Sequence, residues 1–162
     1  MLARQHLQFG IVATAGLLYL NPEAMNHCVP IIAGGVLGSL LPDIDSPDTK
    51  IGRHFLFIST ILNSIFGHRT ITHDFVFVLL LSAFFMTKNP FLIGLFIGIF
   101  SHLFLDSMTI KGIPISFLYK KNIHLLPEFM RFKSASNAAK FATFVSSILL
   151  IIGAVFVKRN MI

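Results

Sequence analysis

Gly34-Gly35-Val36-Leu37-Gly38-Ser39-Leu40-Leu41-Pro42-Asp43-Ile44-Asp45-Ser46-Pro47-Asp48 carries an apolar, glycine-bearing run into a proline, with three carboxylates close behind. Pro42 has no backbone N–H to donate and Pro47 fixes a second φ angle, so the backbone bearing Asp43 and Asp45 is stiff. Carboxylates this close repel unless positive charge lies between them, and a cation is the simplest source. Gly34, Gly35 and Gly38 form a small-residue surface of the kind that lets membrane helices approach closely, and Gly94-x-x-x-Gly98 offers a second one. The stretch therefore predicts a close-packed membrane helix that delivers its acids at one end.

Composition agrees. The 162 residues predict one domain spanning 1–162. They are 54% hydrophobic and only 12% charged, against about 25% charged in an ordinary soluble domain. The apolar surplus predicts an integral membrane protein, and the eighteen Phe residues are read as core and lipid-facing side chains. A single cysteine, Cys28, excludes an internal disulfide and any multi-cysteine zinc site. The net charge of +6 comes from Lys and Arg placed between apolar runs, without the aromatic interleaving of a nucleic-acid stripe. No nucleic-acid partner is expected. The first apolar stretch begins after Arg4 and has no clear small-x-small exit, so it reads as a retained helix rather than a cleaved signal.

The fold class expected is all-α: an integral membrane bundle of four to five hydrophobic helices with an interfacial segment. The helices are predicted at 5–20, 29–41, 73–87, 90–106 and 139–158, with 55–66 interfacial or re-entrant. Several are shorter than the ~20 residues that span a bilayer, so flanking residues must complete them or the membrane thins locally. With the N-terminus in the cytoplasm, Arg4, Lys50, Arg53, Arg69, Lys111, Lys120, Lys121, Arg131, Lys133 and Lys140 fall inside. Only Lys88, Lys158 and Arg159 fall outside, which is the bias that the positive-inside rule demands.

That topology gathers the metal-capable residues on one side. His6 opens the first helix, and Asp43, Asp45 and Asp48 follow the second. His68 and His73 stand in Gly67-His68-Arg69-Thr70-Ile71-Thr72-His73-Asp74, and His102 and Asp106 close the fourth helix. All of them come out at the cytoplasmic face. His102 and Asp106 are four apart and share a helix face, with Gly98 one turn earlier on the same stripe, so the pair points into the bundle. His68 is read into a turn, with Thr72 capping a helix that His73 opens. A helix N-terminus would keep that imidazole neutral and able to bind metal.

Taken singly, each residue has a plain structural reading: a packing histidine, a buried His–Asp hydrogen bond, an Arg69–Asp74 salt bridge. Ionisable groups in membrane segments are expensive and usually functional, and together they predict a metal site. The expected ligands are His6, Asp43, Asp45, His68, His73, His102 and Asp106. Nitrogen and carboxylate donors without thiolate suit Zn²⁺, with Mn²⁺ or Fe²⁺ as alternatives, better than Ca²⁺. The Asp43-x-Asp45 run also lacks the central glycine of a calcium loop, and His54 stands in place of its closing Glu. Seven candidate ligands allow one to three ions. A divalent ion would activate water as a nucleophile, with Asp45 alternatively orienting or deprotonating that water. Arg69 could neutralise charge in the transition state. Arg53, Lys120 and Lys121 could hold a phosphate or another anionic head group.

The pattern resembles the YdjM-type inner-membrane proteins, described as membrane-bound metal-dependent hydrolases. The matching residues are His6 with Gly10, Gly38-Ser39-Leu40-Leu41-Pro42-Asp43-Ile44-Asp45 with Gly52-Arg53, and Gly67-His68-Arg69-x-x-Thr72-His73. The match continues through Ser101-His102-x-x-x-Asp106-x-x-Thr109 and Lys111-Gly112. The resemblance implies a multi-pass protein of the bacterial inner membrane whose His and Asp positions bind metal, and it supplies no substrate. This chain departs from the pattern at Asp74, where a small polar residue is common, and at Ala139, where the weakened element Ser134-Ala135-Ser136-Asn137-Ala138-Ala139 lacks the acid.

The function expected is hydrolysis of a phosphoester in a membrane lipid or lipid-linked substrate. The alternative is a non-catalytic membrane protein that binds metal for structure, sensing or transport. A transporter would carry its ligands near the bilayer midplane on broken helices, whereas these cluster at helix ends.

Overall fold

A computed structural model of the chain describes residues 3–67, 70–76, 78–79, 88–116 and 119–161. Four long helices carry the architecture: α1 (Ala3–Leu20), α2 (Cys28–Leu40), α5 (Pro90–Ser107) and α6 (Asn137–Met161). Two shorter ones, α3 (Lys50–His54) and α4 (Leu56–Phe66), follow the acidic stretch. An antiparallel hairpin of β1 (Ile113–Ser116) and β2 (Tyr119–Ile123) is the only sheet among the described residues.

The α2–α5 pair forms the centre, and glycine is the reason. A Cβ on Gly34 would overlap the Phe91 carbonyl, and one on Gly38 would overlap that of Leu95. The reverse holds too: Gly94 abuts the Ile31 carbonyl and Gly98 that of Gly35. Contact advances four residues along each helix together, so the two run in the same direction with backbone on backbone. Small residues permit this approach, and dispersion then acts across the whole seam. α1 packs on the pair through Gly10, which meets the Ser39 side chain, and through Thr14, which meets Gly35. α6 lies along the outside of α1, where Lys158 donates to the Tyr19 carbonyl (2.9 Å) and sits 4.2 Å above the Tyr19 ring.

The helix boundaries follow local chemistry. Asn89 accepts hydrogen bonds from the amides of Phe91 (3.0 Å) and Leu92 (3.4 Å), and Pro90 opens α5 at the position where its missing N–H costs nothing. Ser136 accepts from the Ala139 amide (3.2 Å) and starts α6. Gly67, with φ 79°, terminates α4 in a conformation that a side chain would strain.

Three stretches among the described residues are long and apolar enough to cross a membrane: Pro22–Asp45, Pro90–Ser107 and Asn137–Asn160. The thirteen-residue α2 reaches spanning length because 3-10 turns extend it at both ends, Pro22–His27 before it and Leu41–Asp45 after it. α4 is too short to span, at eleven residues or about 16 Å, and it exposes Leu56, Phe57, Ile58, Ile61 and Ile65 while burying Ser59. That pattern fits a helix lying in the interface. Most of the helix expected at 73–87 falls outside the described residues. Phe75, Val76, Val78 and Leu79 are helical, and the Val78 amide bonds to the Asp74 carbonyl (2.9 Å).

The hairpin was not expected. It folds over the end of α5, where Leu125 donates to the Ser107 carbonyl (2.9 Å) and Ile113 is buried with Val78, Ile99 and Leu103. Ala139, expected from the resemblance to stand in place of an acid, is fully buried against Met108 and Phe132. It belongs to an apolar cluster.

Candidate metal centre

Four chain segments converge at one end of the bundle. α1 contributes His6 from its first turn, and the 3-10 turn after α2 contributes Asp43 and Asp45. A second 3-10 turn, Ile71–His73, contributes His73, and the last turns of α5 contribute His102 and Asp106. His6, His73, His102 and Asp106 have no exposed surface, and Asp43 and Asp45 retain only 5% and 1%.

The acidic turn is held from below. Thr49 donates to the Asp43 carbonyl (2.7 Å) and accepts from the Gly52 amide (3.0 Å), which caps α3 and closes the loop. From α4, Asn63 donates to the Asp45 carbonyl (2.9 Å). These bonds fix the backbone of both acids.

Hydrogen bonds also set the two central imidazoles. His102 Nδ1 lies 2.7 Å from the Ser39 carbonyl. A carbonyl can only accept, so Nδ1 carries the hydrogen and Nε2 keeps its lone pair. Thr72 does the same for His73. Its hydroxyl donates to Asp45 Oδ2, leaving the oxygen to accept from His73 Nδ1 at 3.0 Å. Both Nε2 atoms consequently face inward, 3.3 Å from each other. At that separation either a proton on one of the two nitrogens or a cation shared by both lone pairs keeps them from repelling.

Two carboxylates stand beside this pair. Asp106 Oδ2 lies 3.5 Å from His73 Nε2 and 3.7 Å from His102 Nε2. Asp43 Oδ1 lies 4.0 Å and 3.7 Å from the same two atoms. Around an ion with bonds of about 2.0–2.1 Å, tetrahedral ligands stand about 3.3–3.4 Å apart. The His73, His102 and Asp106 atoms, 3.3–3.7 Å apart, are spaced at or a few tenths of an ångström wider than such a shell, and Asp43 belongs with His6 and His102 in a second set. Among the described residues, two donor sets lie wholly within 4.8 Å: His6–Asp43–His102 and His73–His102–Asp106.

His6 adds an independent observation. Among the described residues neither of its buried ring nitrogens has a hydrogen-bond partner. Its ring stacks on that of His102, with centroids 3.6 Å apart, and its Nε2 lies 3.6 Å from Asp106 Oδ1. Leaving a buried polar atom unsatisfied costs about 1–3 kcal/mol, and a ligand would offset that cost.

The family described as YdjM inner membrane protein matches residues 1–161. The chain belongs to this family. The Bacillus subtilis protein described as uncharacterized protein YvsG is 37% identical over 143 residues, covering 85% of both chains. The inner membrane protein YdjM of Escherichia coli is 34% identical over 126 residues, covering 71% of this chain and 64% of its own; that of Shigella flexneri matches equally. No solved structure matches the chain.

In this YdjM-family protein the residues singled out in the sequence sort as follows. His6, Asp43, His73, His102 and Asp106 come together in the cluster. Asp45 lies behind His73, 3.5 Å from Nδ1, and belongs to neither donor set. Its position is that of an orienting group. His68 and Arg69 lie outside the described residues. Asp48, Arg53 and Lys121 are exposed, and Lys120 is described only as backbone of β2. His73 closes a 3-10 turn and Asp74 follows in extended backbone (φ −67°, ψ 117°), so His73 does not open a helix and Thr72 does not cap one. The Thr72 hydroxyl is committed to Asp45 and His73 instead. Thr72 and the Ser39 carbonyl are the positioning groups that residue spacing did not reveal.

Proposed function

We propose that this YdjM-family membrane protein holds a divalent ion, Zn²⁺ by its donor chemistry, and hydrolyses a phosphoester of a membrane lipid or lipid-linked substrate at the cytoplasmic face. The observation that supports this reading is the facing pair of His73 and His102 Nε2 atoms, 3.3 Å apart and flanked by Asp43 and Asp106. Nitrogen and carboxylate donors without sulfur are the set that zinc, manganese or iron prefers. When bound, such an ion supplies Lewis acidity to a phosphoryl oxygen and lowers the pKa of water.

The chain's own residues do the rest. The Ser39 carbonyl and the Asp45–Thr72 pair hold the two imidazoles in the tautomer that binds. Asp106 offers one carboxylate oxygen to His73 and His102 and the other to His6, an arrangement that suits a bridging or proton-holding role. Arg53 and Lys121, exposed on segments that leave the cluster end of the bundle, are suited to an anionic head group.

Complete burial of four of the donors favours a second reading, in which the ion is held for structure or sensing without turnover. A hydrolysis assay separates the two. Purified protein with phosphomonoester and phosphodiester lipids should release product in the presence of Zn²⁺ or Mn²⁺ and none after chelation. Bound metal with no turnover across that panel would move the assignment to the non-catalytic reading.

The orienting role of Thr72 has its own consequence. Thr72→Val keeps the volume and removes the hydroxyl, and should weaken metal affinity by about 10–100-fold, as loss of an outer-shell partner does. Competition against a chromogenic chelator measures it. Unchanged affinity would mean that Asp45 and Thr72 serve only the loop.

A further inference from the structure

A cavity of about 930 Å³ lies beside the cluster, between α1, α5 and α6, with the hairpin over one end. Its walls are almost wholly apolar, including Phe9 and Ala13 of α1 and Leu150 of α6, and His124 stands at the hairpin end. Along α5 it runs from Ile97 to Ser107, ten residues or about 15 Å. That is half of the ~30 Å hydrocarbon core of a bilayer, the depth of one leaflet. The polar end, Ser107 and His124, coincides with the helix ends that carry the cluster, and Ser107 follows the cluster residue Asp106 directly. The cavity is open at the side, since Phe104 and Leu149 line it and remain 40% and 63% exposed.

We infer that this cavity takes one acyl chain of a membrane glycerophospholipid, entering sideways from the leaflet on the cluster side, with the phosphate head group left at the Ser107–His124 end. The volume lies in the range of built ligand pockets. Its length matches a chain of one leaflet, its walls match hydrocarbon, and Ser107 and His124 at one end lie where a phosphoester would need to be. The inference rests on the lipid-phosphoester reading for its meaning, but its test does not.

The full-length protein in nanodiscs is irradiated with phosphatidylglycerol carrying a diazirine midway along one acyl chain, in EDTA so that hydrolysis plays no part. Adducts are mapped by mass spectrometry. Labelling should concentrate on cavity residues such as Phe9, Phe104 and Leu150. It should fall several-fold in Ala13→Phe and in Ser146→Leu, which fill the cavity from two different helices, and remain unchanged in Val155→Phe on the exposed face of α6. Labelling spread evenly over exposed residues such as Phe141, Phe144, Ile151 and Phe156, or undiminished in both filling variants, would overturn the inference. Capture of the chain by a protein that shows no turnover would overturn the hydrolase reading alone.

Discussion

Gly38→Leu is expected to lower the thermal midpoint of the purified protein by about 6–12 °C and to weaken metal binding at the same time. The Cβ alone would overlap the Leu95 carbonyl, so the obstacle is backbone and cannot turn aside as a side chain would. Overpacking of this kind costs about 3 kcal/mol or more, and in a chain of this size each kcal/mol is worth about 2–4 °C. Binding suffers too, because pushing α2 away from α5 carries the neighbouring Ser39 carbonyl away from His102 Nδ1. Gly153→Leu is the control. A Cβ there meets nothing within 4 Å, so the midpoint should hardly move. Equal losses in both variants would show that the α2–α5 seam is not what sets the bundle.

His102→Ala should reduce metal affinity on the order of a hundredfold or more, beyond the effect of any outer-shell change. His102 is the residue common to both sets within 4.8 Å, so its removal leaves neither complete. The Ser39 carbonyl is also left buried without its partner, at a cost of about 1–3 kcal/mol in stability. His124→Ala provides the comparison, since His124 lies at the hairpin, bonded to the Ile110 carbonyl (3.1 Å). Isothermal titration with Zn²⁺ reads both. Wild-type affinity in His102→Ala would remove the ring from the shell.

Much of this was legible in the residues because a few of them are chemically unambiguous. The glycines at 34, 35, 38, 94 and 98 identified the close helix pair, since little else explains so many small residues in apolar runs. The ends of the described long helices fall within a few residues of those expected, because charged and proline residues bound the apolar runs. Topology alone predicts His6, Asp43, Asp45, Asp48, His68, His73, His102 and Asp106 at the same end, and His6, Asp43, His73, His102 and Asp106 meet there.

What stayed hidden depends on contacts distant in the chain. Ser39 lies sixty-three residues from His102, and it acts through a backbone carbonyl, which every residue possesses. Thr72 was read as a cap from its position beside His73, whereas Asp45, twenty-seven residues away, claims its hydroxyl. Asp45 itself was placed among the ligands by its nearness to Asp43, but alternate residues of a 3-10 turn need not aim together. The hairpin at Ile113–Ile123 carries Lys120 and Lys121 and little alternation, so its pairing shows only in three dimensions.

Whether imidazoles and carboxylates from four segments enclose an ion is decided by metal analysis combined with X-ray absorption on protein purified without added metal, alongside a His73→Ala/Asp106→Ala double variant. At least one divalent ion per chain is expected, in a shell of nitrogen and oxygen without sulfur, and no ion in the double variant. Metal-free wild-type protein that also fails to take up Zn²⁺, Mn²⁺ or Fe²⁺, or an ion retained in full by the double variant, would contradict it.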